Sequence, residues 1–184
     1  DGFLVVTNLG APEFRVMWAE ASDPTVWEPL IHEDPAVRVW GADAFAGGFV
    51  LTVRRDGVQS LRLHPVGGAA YDVLPGDAGG MVQVGRNDDF DVAAVTVVVD
   101  SFIRPTVWWD VAWDGLRAQR HVRETVGVDP EDYVTERRLA PSDDGVLVPV
   151  ILVRHRETPL DGTAPCQLYG YGSYEVCLDP DWDF

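Results

Sequence analysis

The sequence predicts a mostly β fold built from stacked four-stranded blades, and three observations lead there. Helical spacing of apolar residues is nearly absent from the first two-thirds of the chain. Short strand-like runs recur instead, separated by turn residues. The third is a loose repeat: Gly2-Phe3-Leu4-Val5-Val6 returns as Gly48-Phe49-Val50-Leu51-Thr52 and, more weakly, around Val92–Val97. Its period of about 45 residues is that of one propeller blade.

In chain order, strands are expected at Phe3–Thr7, Phe14–Ala19, Val37–Val39, Phe49–Val53, Val58–Leu63, Val92–Val99, Thr106–Trp113 and Arg117–Arg123. Turns fall at Asn8-Leu9-Gly10, Arg55-Asp56-Gly57, Asn87-Asp88-Asp89 and Trp113-Asp114-Gly115. The Asp-Gly pairs are strong hairpin signals, because glycine readily takes the positive φ that such turns need. A sheet that is apolar on both faces cannot bury itself alone; stacking blades around a ring solves that. Two blades and a fraction fit here, giving an incomplete β-propeller. A β-sandwich with accidental spacing is the other reading of the same runs.

The pattern changes at Val126-Gly127-Val128-Asp129-Pro130, where an acidic, proline-bearing stretch through Tyr133 reads as a linker. Residues 1–128 and 129–184 are therefore treated as separate units. A long hairpin follows: Thr135–Ala140, the turn Ser142-Asp143-Asp144-Gly145, then Val146–Arg154 with alternating valines and leucines. After the polar loop Thr158–Thr163, Pro165–Tyr169 reads as a strand ending in Gly170-Tyr171-Gly172-Ser173-Tyr174. Tyr171, between two glycines, is placed to present its phenol instead of burying it.

Composition narrows the partners. A net charge of −16 with no lysine among the cations argues against nucleic acid, since phosphate binding needs a cationic footprint. The same charge would attract cationic substrates or simply keep the surface soluble. No apolar run approaches the roughly 20 residues of a membrane span, and the start carries no secretory signal. Cys166 and Cys177 are too few for a disulfide framework or a zinc site, so a reduced, cytoplasmic setting is expected, with no cofactor and no metal. Because Asp1 is followed at once by a strand, the chain reads as cut from something longer.

The stretch VTERRLAPSDDGVLVPVILVRH, followed by DGTAPCQLYGYGSYEVCLDPDWDF, resembles the prolyl oligopeptidase family of serine peptidases. Asp100-Ser101-Phe102-Ile103-Arg104-Pro105 and Thr106–Asp110 are similar to that family's last propeller blade. The resemblance implies that residues 1–128 are the last two to three blades of an N-terminal β-propeller. Residues 129–184 would be the linker and first strands of an α/β-hydrolase peptidase domain. Ser173-Tyr174 after Gly172 is similar to the oligopeptidase B branch, which cuts short peptides after arginine or lysine; Glu175, Cys166 and Cys177 depart from it.

What the resemblance implies for chemistry is specific. Peptide cleavage by a serine passes through an oxyanion that needs preorganised donors. In the family the second tyrosine of YGYG is one donor, and here that is Tyr171; Tyr169 and Tyr174 are read as structural. The serine, aspartate and histidine of the triad follow in family order after the point where this chain stops, so the chain alone is expected to be inactive. No serine here sits in a Gly-x-Ser-x-Gly turn. His32, His64, His121 and His155 precede that point and are read as packing or surface groups. Gly170–Glu175 lacks the third glycine of a dinucleotide fingerprint, and Asp179, Asp181 and Asp183 lack the glycine and glutamate of a calcium loop. Trp108 and Trp109, on opposite strand faces, suit blade packing better than carbohydrate stacking. A non-catalytic propeller binding module and a degenerate family member without a triad are the alternatives.

Overall fold

The computed structural model describes residues 1–123, 127, 129–174 and 176–182; Val126 and Val128 of the expected linker, Glu175 and Asp183 lie outside them. Thirteen strands and no α-helix occur among these residues. They are β1 (Gly2–Thr7), β2 (Arg15–Glu20), β3 (Trp27–Ile31), β4 (Arg38–Phe45), β5 (Gly48–Arg55), β6 (Val58–Pro65) and β7 (Tyr71–Val73), then β8 (Gly80–Val84), β9 (Ala94–Ser101), β10 (Val107–Ala112), β11 (Arg117–Val122), β12 (Tyr133–Pro141) and β13 (Leu147–His155). Antiparallel meanders β1-β2-β3, β4-β5-β6-β7 and β8-β9-β10-β11 form three blades, and β12-β13 is a separate hairpin.

The repeat seen in the sequence is the blade repeat: β1, β5 and β9 start at residues 2, 48 and 94, in equal steps of 46. Its leading glycine has a steric cause. A Cβ on Gly48 would sit 2.2 Å from the His64 carbonyl, and one on Gly2 would sit 2.3 Å from the Trp18 ring. The Asp56-Gly57 turn is as expected, with both residues at positive φ (50° and 83°) between paired Arg55 and Val58, the arrangement of a type I′ hairpin.

Side-chain alternation along β5 explains the stacking. Val50 joins Leu61, Leu63, Val73, Val82, Val95, Val97 and Val111 in a core between the middle and third blades. Leu51 and Val53 face the other way, into a core with Val16, Val37 and Val39 shared with the first blade. The middle blade is thus covered on both faces, which accounts for its nearly unbroken apolar strands. Trp109 packs against the inner core while Trp108 lies on the other face against His121, at 5.2 Å.

Three strands were not anticipated: β3, β7 and β8. One expected strand is absent, because Pro165–Tyr169 forms no ladder. Leu168 is 87 % exposed and meets no strand among the described residues, and an extended run without a ladder partner is not a strand. The hairpin is as expected: nine register pairs from Tyr133↔His155 to Pro141↔Leu147, closed by Ser142–Val146 with Gly145 at φ 85°.

The blades have two rims, set by strand direction. The loops at 46–47, 66–70, 85–93 and 113–116 meet on one. The β5–β6 turn, the start of β8, the end of β9 and the end of β11 meet on the other. Everything described after residue 128 that touches the blades in the contacts below does so on this second rim. Arg104 pairs with Glu131 at 2.9 Å, Gly79 lies against Thr135, and Gly57 against Pro149.

Candidate functional site

The hairpin leads the chain to the rim. Asp132 accepts from the Arg156 backbone N–H at 2.7 Å, and the Arg156 Nε donates to the Glu131 carbonyl at 3.0 Å. Arg154 binds Glu136 through both Nε and Nη2, and Arg138 also pairs with Glu136. These two cations hold the Glu136 carboxyl below its ordinary value, the Arg154 hydrogen bond contributing most. From there the chain leaves the blades and runs through the glycine–tyrosine segment.

That segment is open. Tyr171 is 54 % exposed, and its hydroxyl has no hydrogen-bond partner among the described residues. Gly170 and Gly172 both lack positive φ, and a Cβ on either would meet nothing within 4 Å. The expectation of a strand end shaped by its glycines is therefore corrected: the run is an exposed loop. Its end is a turn, with the Val176 N–H donating to the Ser173 carbonyl at 3.1 Å and Tyr174 in the left-handed region at φ 56°. The open space beside both glycines leaves room for a second surface to approach the backbone.

Beyond the turn the chain returns to the blades. The Arg54 Nη1 and Nη2 donate to the two Asp179 oxygens at 2.8 and 2.7 Å, the fork geometry in which arginine binds a carboxylate most strongly. Arg54 is steadied by the Gly57 carbonyl at 2.9 Å and Gln59 Oε1 at 3.2 Å. The Arg123 Nη1 donates to the Trp182 carbonyl at 2.8 Å, and the Trp182 side chain is 1 % exposed. Sequence reasoning missed Arg54 and Arg123. They stand 125 and 59 residues from their partners, so no local signal could have found them; the one clue was a large aromatic in an acidic tail.

His32 is exposed, and the other three histidines make ring contacts. His64 stacks on Phe49 with ring centroids 4.5 Å apart, His121 packs on Trp108, and His155 meets Tyr133 edge-on. Burial, then the nearby Arg62 charge, push the His64 pKa down. Cys166 and Cys177 are both exposed. A cavity of about 210 Å³ lies on the middle blade beside the hairpin, lined by Arg55, Asp56, Arg62 and Asp72 of the blade and by Arg137 of the hairpin. Arg62 closes on Asp72 at 2.7 and 3.1 Å and holds that carboxyl below its ordinary range. No helix is long and apolar enough to cross a membrane among the described residues.

Comparison with known proteins places these features. Residues 1–120 match the family described as prolyl oligopeptidase, N-terminal beta-propeller domain. The dipeptidyl aminopeptidase BI of Pseudoxanthomonas mexicana is 28% identical over 187 residues, covering 99% of this chain and 26% of that protein. Oligopeptidase B from Trypanosoma brucei, solved in a closed form with covalently bound antipain, superposes with a TM-score of 0.91 at 28% identity, over 100% of this chain and 28% of that one. Oligopeptidase B from Leishmania major shares the fold at a TM-score of 0.90 and 24% identity, over 99% of this chain and 27% of that one. The chain spans about a quarter of the length of the curated relatives it matches.

Proposed function

Because this chain belongs to the prolyl oligopeptidase family of serine peptidases, we propose that it is the part of a serine-type oligopeptidase where propeller meets catalytic domain. In this reading, residues 1–128 are the closing blades and 129–184 are the linker and first strands of an α/β-hydrolase domain. The nucleophilic serine and its aspartate and histidine belong to residues outside these 184.

The observation that carries the proposal is the exposed Tyr171 hydroxyl on a loop whose two ends are fixed to one propeller rim. A phenol O–H with no competing partner among the described residues is available to the oxygen of a tetrahedral intermediate, the position where charge develops as a serine attacks a peptide carbonyl. A backbone N–H beside the nucleophile supplies the second donor. The propeller covers the site and admits only short peptides. The preferred bonds follow arginine or lysine, and the charge of −16 steers basic peptides inward. Exposed Cys166 and Cys177 suit a reducing, cytoplasmic compartment.

The test uses the protein that contains this chain together with the catalytic serine. Tyr171→Phe lowers kcat about 100-fold, equivalent to about 3 kcal/mol of lost transition-state stabilisation, and leaves KM nearly unchanged. An unaffected kcat refutes the assignment. Failure of a serine-directed fluorophosphonate to label the protein favours a binding module or a member without a triad. A kcat/KM for an arginyl peptide that stays flat with added salt removes the steering component.

A further inference from the structure

We propose that Arg54 and Arg123 form a rim latch for the segment Asp179–Trp182, and that Arg54, acting through Asp179, is a positioning residue for the glycine–tyrosine loop. The assignment of a role to that loop rests on the function proposed above; the latch itself does not.

The argument begins with burial. The Arg54 side chain is only 10% exposed and Asp179 27%, so the pair is largely withdrawn from water. A guanidinium held there without its carboxylate would be an uncompensated charge. Arg54 is committed in advance, because Gly57 and Gln59 fix its fork from the β5–β6 hairpin. Gln59 also donates to the Val82 carbonyl of the third blade at 3.2 Å. The latch therefore rests on two blades at once. Asp179 begins the anchor and Trp182, three residues on, ends it, its ring buried and its carbonyl held by Arg123 from the end of the third blade.

Between Arg156 and Asp179 the described chain is almost wholly exposed. It is a loop with two feet on the same rim, Arg156 on the 3₁₀ turn at Pro130–Asp132 and Asp179 on Arg54. Tyr171 stands eight residues before the second foot. Closing both ends removes conformations that a one-footed segment would sample. A phenol that must meet an oxyanion to within tenths of an ångström depends on that restriction. At the second foot the blades thus reach the loop first through the Arg54–Asp179 ion pair.

The test is hydrogen–deuterium exchange on the 184-residue chain, reading the amides of 176–182 against those of the β5–β6 ladder. Arg54→Ala and Asp179→Asn each speed exchange in 176–182 by at least about 10-fold and leave the ladder protected. The double variant is no worse than either single one, as expected for a shared contact. Arg54→Lys, which keeps charge without the fork, falls between, and the swap Arg54→Asp with Asp179→Arg recovers part of the protection. If Arg54→Ala does not fold, Asp179→Asn alone decides. Unchanged exchange in 176–182 overturns the latch, whatever the activity. In the full peptidase, Arg54→Ala lowers kcat with KM held; an opened latch with kcat intact overturns the positioning role. If the parent shows no peptidase activity, the function proposed above falls and exchange still judges the latch.

Discussion

The two rims of the blade stack are built from different chemistry. On the rim of loops 46–47, 66–70, 85–93 and 113–116, aromatic groups close the gaps between blades. Phe45 packs on Trp113 at 5.8 Å, the Trp113 Nε1–H donates to the Val92 carbonyl at 3.0 Å, and the Tyr71 hydroxyl donates to the Ala112 carbonyl at 2.7 Å. On the opposite rim the fastenings are arginines: Arg54 to Asp179, Arg104 to Glu131, Arg123 to Trp182 and Arg156 to Glu131. Aromatic packing holds the blades together through dispersion and desolvation, with little dependence on salt. Arginine pairs are directional, salt-sensitive and individually weak where exposed. The rim that holds the stack together is therefore separate from the rim that carries the exposed loop.

Substitutions can break this division or sharpen it. Trp113→Ala should cost the most, about 3 kcal/mol, because it removes ring packing between blades and the bond to Val92; a loss of unfolding free energy below about 1 kcal/mol in denaturant titrations would end the aromatic-rim account. Gly48→Ala on the same rim should cost about 2 kcal/mol, since the new Cβ meets the His64 carbonyl at 2.2 Å with φ at 152°. Arg104→Ala on the charged rim should change stability by no more than about 0.5 kcal/mol, because both partners are exposed. A loss of 2 kcal/mol there would erase the contrast.

Acid should act on the aromatic rim through His64. Its folded pKa is lowered from 6.5, so the unfolded chain takes up the proton first. The stability it contributes is full above the unfolded value and is lost as pH falls through the lowered folded one. The melting temperature measured from about pH 7.5 to about pH 5 should decline, and His64→Gln should flatten part of that decline. Parallel curves for the two proteins would remove His64 from the explanation.

The blades were legible where side chains dictate them. Val50, Leu51 and Val53 alternate as a strand buried on both faces must, and Asp56-Gly57 announces its own turn. The long hairpin of β12 and β13 announces itself in the same way. What was missed takes its structure from neighbours. β3 carries Glu28 and Pro29, and β7 is only Tyr71–Val73; both are extended because a ladder holds them. The reverse error at Pro165–Tyr169 has the same origin, an apolar run without a partner. The flanking glycines singled out Tyr171 as a candidate, but the exposed loop on which it stands was not legible. Arg54 and Asp179 meet only because two hairpins converge on one rim, and nothing near either residue in the chain records that.

The outermost strands of the blades have a consequence for how the protein behaves at high concentration. β3 is interrupted by Pro29, β7 ends after three residues, and β11 offers Arg117, Gln119, Arg120 and His121 to solvent. Each denies an incoming chain a long, flat, uncharged row of free amides and carbonyls. Sideways growth into cross-β fibrils is thereby blocked at the periphery of every blade. Clumping, where it occurs, should start instead from the oily tip of the β12–β13 hairpin, at Leu139, Val146, Leu147 and Val148.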